Sequence, residues 1–197
     1  LRAPQRSPLY RGVARFLCVA LLAGGFPAPV LADITRQVTL SPGWQLVSVP
    51  LTPTNASPSS VFAGLPSPRR IYDYVAGQTL GFLEAGFRNI RAGWANKILV
   101  QAPVTISVIG QPIVTTEPYL VPITPGWNAV GTPWPNPLAW SDTRVSVRQS
   151  SSNTTVALSQ AIASGWVEGE ARTLDPATDS YTTLLANAPG AQFAPWK

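Results

Sequence analysis

Nine carboxylates are the main candidates for chemistry in this chain, because it contains no histidine and one cysteine, Cys18. Without histidine the chain lacks the commonest general base and the commonest metal ligand. Zinc, copper, haem and iron–sulfur sites would therefore have almost no ligands. The sequence also lacks GxxxxGK[ST] and GxGxxG, so no nucleotide-binding loop is predicted. These patterns predict no catalytic residue, no metal and no cofactor.

The carboxylate spacings also argue against catalysis. Glycoside hydrolysis needs two carboxyl groups across a cleft, but Glu168 and Glu170 in WVEGEAR would share one face of a strand. We interpret them as a solvated strand edge. Asp175 and Asp179 in DPATDS could offer oxygens to calcium, but without an EF-hand pattern a hairpin loop is favoured. A Ser–Lys dyad would need Lys97, which lies in a segment that we interpret as structural.

Tryptophan is the enriched residue type that could form a binding surface, since aromatic rings stack on sugars and anchor protein interfaces. We expect Trp44, Trp94 and Trp127 to fill the core, because they occupy related positions in a repeated pattern. Trp134 and Trp140 flank the Pro-rich PNPLA, and we predict that they are exposed and bind a ligand. The seven tryptophans are Trp44, Trp94, Trp127, Trp134, Trp140, Trp166 and Trp196.

The first 32 residues have the three parts of a secretory signal peptide. Four arginines within the first 15 residues precede an apolar run of 11 residues, FLCVALLAGGF, and the small Ala32 closes the segment. Cleavage is predicted between Ala32 and Asp33. The run is shorter than the roughly 20 apolar residues of a membrane span. A retained N-terminal membrane anchor is the alternative.

The basic charge of the chain is concentrated in this leader. The formal net charge is +5, but from Asp33 onward ten Lys and Arg face nine Asp and Glu. Nucleic-acid binding needs clustered cations that displace counterions from phosphates. We therefore predict no nucleic-acid partner, and membrane contact only through an uncleaved leader.

Twenty-one prolines and fifteen glycines favour short strands joined by turns over long helices. PVTISVIG and TRVSVRQ alternate apolar and polar residues as half-buried strands do. TTVALSQAI predicts either a strand or a short helix, and LDPATDSYTTL predicts a hairpin with a loop of about five residues. SPSSVFAGLP predicts one helical turn capped by Ser57 with Pro58 in its first position. The predicted fold class is all-β.

Two stretches nearly repeat each other, LSPGWQLVSVPLTP (Leu40–Pro53) and ITPGWNAVGTPWPN (Ile123–Asn136). Large apolar groups on both faces of the first copy predict a central strand, and Pro42-Gly43 would form the turn that leads into it. The repeat predicts two diverged modules after the signal peptide, at residues 33–118 and 119–197. A C-terminal truncation of the second module is left open.

The repeated motifs resemble modules of exported bacterial surface or accessory proteins, which open with PGWNLISLPL-P and close with L-x-PG-x-GYWV. The opening corresponds to Ser41–Pro53 and Thr124–Pro137, and the closing motif to Ile90–Val100 and Ala188–Trp196. The resemblance implies β-sandwich domains and supplies no catalytic residues.

The predicted function is adhesion, assembly or surface structure by an exported, non-catalytic protein outside a bacterial cell. The expected partners are other surface or matrix proteins, or polysaccharide. The alternatives are a carbohydrate-binding accessory domain of a larger secreted enzyme, and a membrane-anchored accessory subunit that retains its N-terminal helix. A periplasmic location is also left open.

Overall fold

A computed structural model describes residues 32–75, 77–114 and 118–194. The predicted signal peptide, apart from Ala32, lies outside these ranges, and so do Cys18 and Trp196. Residues Leu31–Lys197 form one compact unit. The assignment of residues 33–118 and 119–197 to two modules stays a prediction.

Antiparallel strands dominate the described residues, which confirms the all-β prediction. Two short helices accompany them, α1 (Pro58–Val61) and α2 (Leu158–Ala163). The strands are β1 (Ile34–Leu40), β2 (Gly43–Ser48), β3 (Leu51–Pro53), β4 (Arg70–Val75), β5 (Gln78–Gly81), β6 (Ala95–Val100), β7 (Val104–Pro112), β8 (Leu138–Ala139), β9 (Ser146–Gln149), β10 (Thr154–Ala157), β11 (Glu170–Asp175), β12 (Ser180–Leu185) and β13 (Gln192–Phe193).

The strands of the described residues pair into five sheets. One has four strands in the order β2-β6-β4-β5, and another has three in the order β1-β7-β3. The remaining strands pair in twos, β9 with β10, β11 with β12 and β8 with β13. Every one of these pairings is antiparallel.

One hydrophobic cluster draws side chains from both larger sheets. Val47 and Ile98 come from the four-stranded sheet, Ile106 and Val108 come from β7, and Phe62 follows α1. The two β7 residues are buried while their neighbours in sequence are exposed, as the period of two in PVTISVIG predicts. Burial of such aliphatic groups contributes roughly 25 cal/mol for each Å² removed from water.

Most of the local elements follow the sequence prediction. Helix α1 begins at Pro58, and the Ser57 Oγ accepts a hydrogen bond from the backbone N–H of Ser60 at 3.3 Å, so the predicted cap is confirmed. TTVALSQAI contains both predicted alternatives, because β10 ends at Ala157 and α2 begins at the next residue. The predicted hairpin is confirmed as β11 and β12, whose connecting loop spans residues 176–179.

The two copies of the repeat differ in structure. The first copy contains β2 and β3, but β2 is an edge strand of its sheet and not the predicted central one. In the second copy Val130 forms only an isolated bridge, with Trp94, and residues 121–129 lie outside any strand. The two copies have similar turn sequences but do not form the same strand pairs. A segment pairs only where another strand of the fold lies next to it, and the two copies have different neighbours.

Candidate functional site

The outward side of the four-stranded sheet carries an aromatic cluster around one lysine. Lys97 on β6 is opposite Leu46 on one side and Tyr72 on the other, so these three side chains share a face. The Trp44 ring lies 5.7 Å from the Tyr72 ring between centroids. The Lys97 Nζ lies 4.8 Å from the Trp44 ring centroid, within the range of a cation–π interaction.

The β11–β12 hairpin contributes to the same cluster. Tyr181 on β12 is opposite Leu174, and its ring lies 5.6 Å from the Lys97 Nζ. Two residues before Leu174, on the same face, Arg172 places its Cζ 5.0 Å from the centre of the Trp127 ring. We call this surface the aromatic face; it consists of Trp44, Tyr72, Tyr74, Trp127 and Tyr181 with the cations Lys97 and Arg172.

Asn128 closes the loop that presents Trp127. The Oδ1 of Asn128 accepts a hydrogen bond from the backbone N–H of Thr124 at 3.0 Å. Its Nδ2 donates to the carbonyl oxygens of Thr124 and Gly126, at 2.7 and 2.8 Å. Gly126 has a φ of +93°, which L side chains rarely adopt. These bonds define a tight turn, and the Trp127 side chain remains 54% exposed.

The aromatic face carries positive charge. Among the described residues, the ion pairs join Arg88 to Asp73 and Arg172 to Glu170, so neither involves Lys97. The Arg172–Glu170 pair is 4.0 Å long, and both side chains are about half exposed. The attraction within an exposed ion pair of this kind is weak, because water screens the two charges. The face therefore presents cations beside aromatic rings.

The phenol of Tyr74 on this face is perturbed. Burial, and then the charge of Tyr181 and a hydrogen bond with it, raise the pKa of Tyr74 above its usual value of 10.0. A group whose pKa is higher in the folded state contributes its full stability at a pH below its unfolded-state pKa. This contribution is lost as the pH rises through the folded-state pKa. The unfolding free energy should therefore decline in alkali.

We expect Tyr181→Phe to lower the pKa of Tyr74, because it removes the charge and the hydrogen bond of Tyr181 and leaves burial as the remaining cause. NMR titration of isotopically labelled tyrosine measures this shift. Tyr119→Phe is the matched control, because the Tyr119 hydroxyl donates to the Ala92 carbonyl oxygen instead. An unchanged pKa of Tyr74 in Tyr181→Phe would contradict the coupling.

The two tryptophans predicted to bind a ligand are half-buried instead of exposed. Trp140 donates from Nε1 to the Gly169 carbonyl oxygen at 3.4 Å, and its ring meets Phe193 edge-on at 5.6 Å. The Nε1 of Trp134 is buried and has no hydrogen-bond partner among the described residues. Neither ring belongs to the aromatic face. Ligand binding by Trp134 and Trp140 stays a prediction.

The three tryptophans expected in the core do not fill it. Trp44 and Trp94 are half-buried, and the expectation is wrong for Trp127, which is exposed. The buried cluster is built almost wholly from aliphatic side chains, with Phe62 as its aromatic member. Trp44 points away from that cluster because its neighbour Gln45 and the buried Val47 occupy the inward positions of β2.

The carboxylates considered for catalysis or metal binding are either exposed or hydrogen-bonded within a turn. Glu168 and Glu170 are both exposed, but β11 begins at Glu170, so Glu168 precedes the strand on which both were expected. Asp175 closes the β11–β12 turn, where its two carboxylate oxygens accept bonds from the Ala177 N–H and the Thr178 hydroxyl, both at 2.9 Å. Within residues 32–75, 77–114 and 118–194, no three His, Cys, Asp or Glu residues are grouped so that they could hold a metal ion.

The sequence reasoning missed Tyr72, Tyr74, Arg172 and Tyr181 as members of one surface. The alternation in IYDYV could have placed the two tyrosines of β4 on one face. The DPATDS hairpin could have placed Arg172 and Tyr181 on one face as well. The packing of one pair against the other depends on long-range contacts that no local pattern predicts.

Comparison with known proteins identifies no relative of this chain. No protein-family model matches this chain, and no curated protein or solved structure matches it either. In the part of the chain that the structure describes, no helix has both the length and the apolar character needed to cross a membrane.

Proposed function

We propose that this chain is an exported, non-catalytic β-sandwich protein that acts in adhesion or assembly at the cell surface or in the extracellular matrix. The aromatic face is its partner-binding surface. The observation that carries the proposal is the gathering of exposed Trp127 and Tyr181 beside Lys97 and Arg172. Trp, Tyr and Arg are the residues that most often dominate the binding energy of protein interfaces.

The exposure of these rings supports a contact role. Trp127 is 54% exposed and Tyr181 is 46% exposed. Each ring has a cation near its face, at 5.0 Å for Arg172 and 5.6 Å for Lys97. A partner that covers these groups would bury apolar ring area and strengthen the cation–π contacts by removing water. Acidic or polar side chains on the partner would match the cations.

Different observations support the β-sandwich and the export of the chain. The four-stranded and three-stranded sheets contribute to one buried cluster, which suits two sheets packed face to face. The three-part leader and the resemblance to exported bacterial modules favour secretion. N-terminal sequencing of the protein from cell fractions tests the export. A chain that begins at Asp33 outside the cell supports it, and a membrane-bound chain that keeps its leader contradicts it.

Trp127→Ala is expected to weaken binding of the full chain to the surface of its own source cells by about tenfold, because removal of an interface tryptophan commonly costs more than about 1.4 kcal/mol. Tyr181→Ala should act in the same direction. Titration of labelled protein onto washed cells measures the dissociation constant, and circular dichroism checks the fold.

Ile109→Ala is the matched control, since Ile109 is 56% exposed but lies on β7, outside the aromatic face. Its binding should equal that of the unmodified chain. If both aromatic variants also bind like the unmodified chain, the aromatic face is not the contact surface.

A further inference from the structure

A cleft of about 430 Å³ lies beside the segment that connects β5 and β6. Its volume falls within the range of small-ligand sites. It is lined by the buried Pro53 and Ile90, by the half-buried Ala56, and by the exposed polar side chains of Thr52 and Asn89. The Ile90 N–H donates to the Ala56 carbonyl oxygen at 2.8 Å, and this bond ties two of the lining segments together. A ligand in this cleft would meet an apolar surface with polar groups beside it.

Trp94 and Arg88 form a fixed platform in this cleft. The Trp94 Nε1 donates to the Pro122 carbonyl oxygen at 3.2 Å, which sets the orientation of the ring. The Arg88 Cζ lies 3.9 Å from the ring centroid. Arg88 is itself held by Asp73, through Nε to Oδ2 at 2.8 Å and Nη2 to Oδ1 at 2.5 Å. The charge of Arg88 is therefore compensated and its position is defined.

Arg91 is the uncompensated cation of the cleft. Its Cζ lies 4.9 Å from the centre of the Trp94 ring, and its side chain is exposed. The ion pairs found among the described residues do not include Arg91. Because the Arg91 guanidinium lies over the ring at this distance and forms none of these ion pairs, its N–H donors can face a ligand, and their planar fork matches a carboxylate. The geometry therefore favours an anionic ligand group at Arg91.

We propose that this cleft binds the carboxylate of an acidic sugar residue, a hexuronate. The carboxylate accepts two hydrogen bonds from Arg91, and the C–H face of the sugar ring packs on Ala56 and Trp94, the apolar lining residues that are only half-buried. The sugar hydroxyls hydrogen-bond to Thr52 and Asn89, whose side chains offer both donors and acceptors. This site goes beyond the proposed adhesive role, because it shares no residue with the aromatic face.

Isothermal titration of the full chain with trigalacturonate and with a glucuronate-containing disaccharide tests the proposal. We expect saturable binding of at least one of them, which Arg91→Gln weakens by about tenfold or more because the bidentate charged contact is lost. Arg36→Gln is the matched control; it removes an exposed arginine on β1, which does not line the cleft, and should leave the affinity unchanged. Trp127→Ala should also leave it unchanged, which separates this site from the aromatic face.

Three results would overturn the inference. One is the absence of binding of either uronate to the unmodified chain. Another is equal affinity of the unmodified chain and Arg91→Gln for the uronate that binds. The third is equal binding of neutral galactotriose, or of acetate alone, since the first needs no carboxylate and the second needs no sugar. Circular dichroism of Arg91→Gln confirms that a loss of binding does not come from unfolding.

Discussion

Asp73→Ala is expected to destabilise the fold by about 3–5 kcal/mol, the usual cost of breaking a buried ion pair by removing one partner. The Asp73 side chain is 2% exposed and its partner Arg88 is 20% exposed. Besides the two bonds from the guanidinium, the carboxylate accepts the backbone N–H groups of Tyr74 at 2.8 Å and of Arg88 at 3.2 Å. Alanine would leave all four donors without this acceptor. Urea unfolding measures the loss.

Glu170→Gln is the control for Asp73→Ala. It breaks the ion pair with Arg172, which is 4.0 Å long and about half exposed, and exposed pairs contribute only about 0–1 kcal/mol. The two variants each remove one carboxylate charge, so a difference between them reports burial and hydrogen bonding. Equal losses of stability would show that the Asp73–Arg88 pair contributes no more than a surface pair.

Gly43→Ala is the second substitution with a large expected effect, of about 2–6 kcal/mol. Gly43 has a φ of +109°, where an L side chain is strained, at a cost of roughly 1–3 kcal/mol. A Cβ at this position would also lie 2.3 Å from the carbonyl oxygen of Pro176 in the β11–β12 turn. Such an overlap with backbone forces the hairpin away from β2, at a further cost of roughly 1–3 kcal/mol.

Gly126→Ala is the matched control, because Gly126 occupies the related position of the second repeat and has a φ of +93°. A Cβ there would lie 3.6 Å from the Cα of Gly77, an ordinary contact. Only the backbone strain at this positive φ remains, so we expect Gly126→Ala to lower the free energy of unfolding by about 1–3 kcal/mol. Urea unfolding of both variants measures the difference, and hydrogen exchange in β11 and β12 shows whether the hairpin is displaced. Identical losses of unfolding free energy would mean that the overlap of the added Cβ with the Pro176 carbonyl oxygen costs nothing.

The sequence by itself determined the local elements of this protein. Alternation in PVTISVIG predicted the inward and outward faces of β7, and DPATDS predicted the turn between β11 and β12. The cap of α1 could be predicted because Ser57, a residue type that caps helices, is followed directly by Pro58, which suits the first helical position. These features depend on steric and hydrogen-bond preferences within a few residues, and such preferences can be read from a short window.

Only the tertiary structure decided which surfaces these elements form together. Gly43 and Gly126 each follow a proline in the repeated motif, but Gly43 contacts the β11–β12 turn, whereas Gly126 lies in a loop that exposes Trp127. The aromatic face likewise depends on Tyr181 reaching Lys97, which is 84 positions earlier in the chain. Strand pairing and packing join residues that are far apart in sequence, so the free energy of each placement depends on the whole chain and not on any one motif.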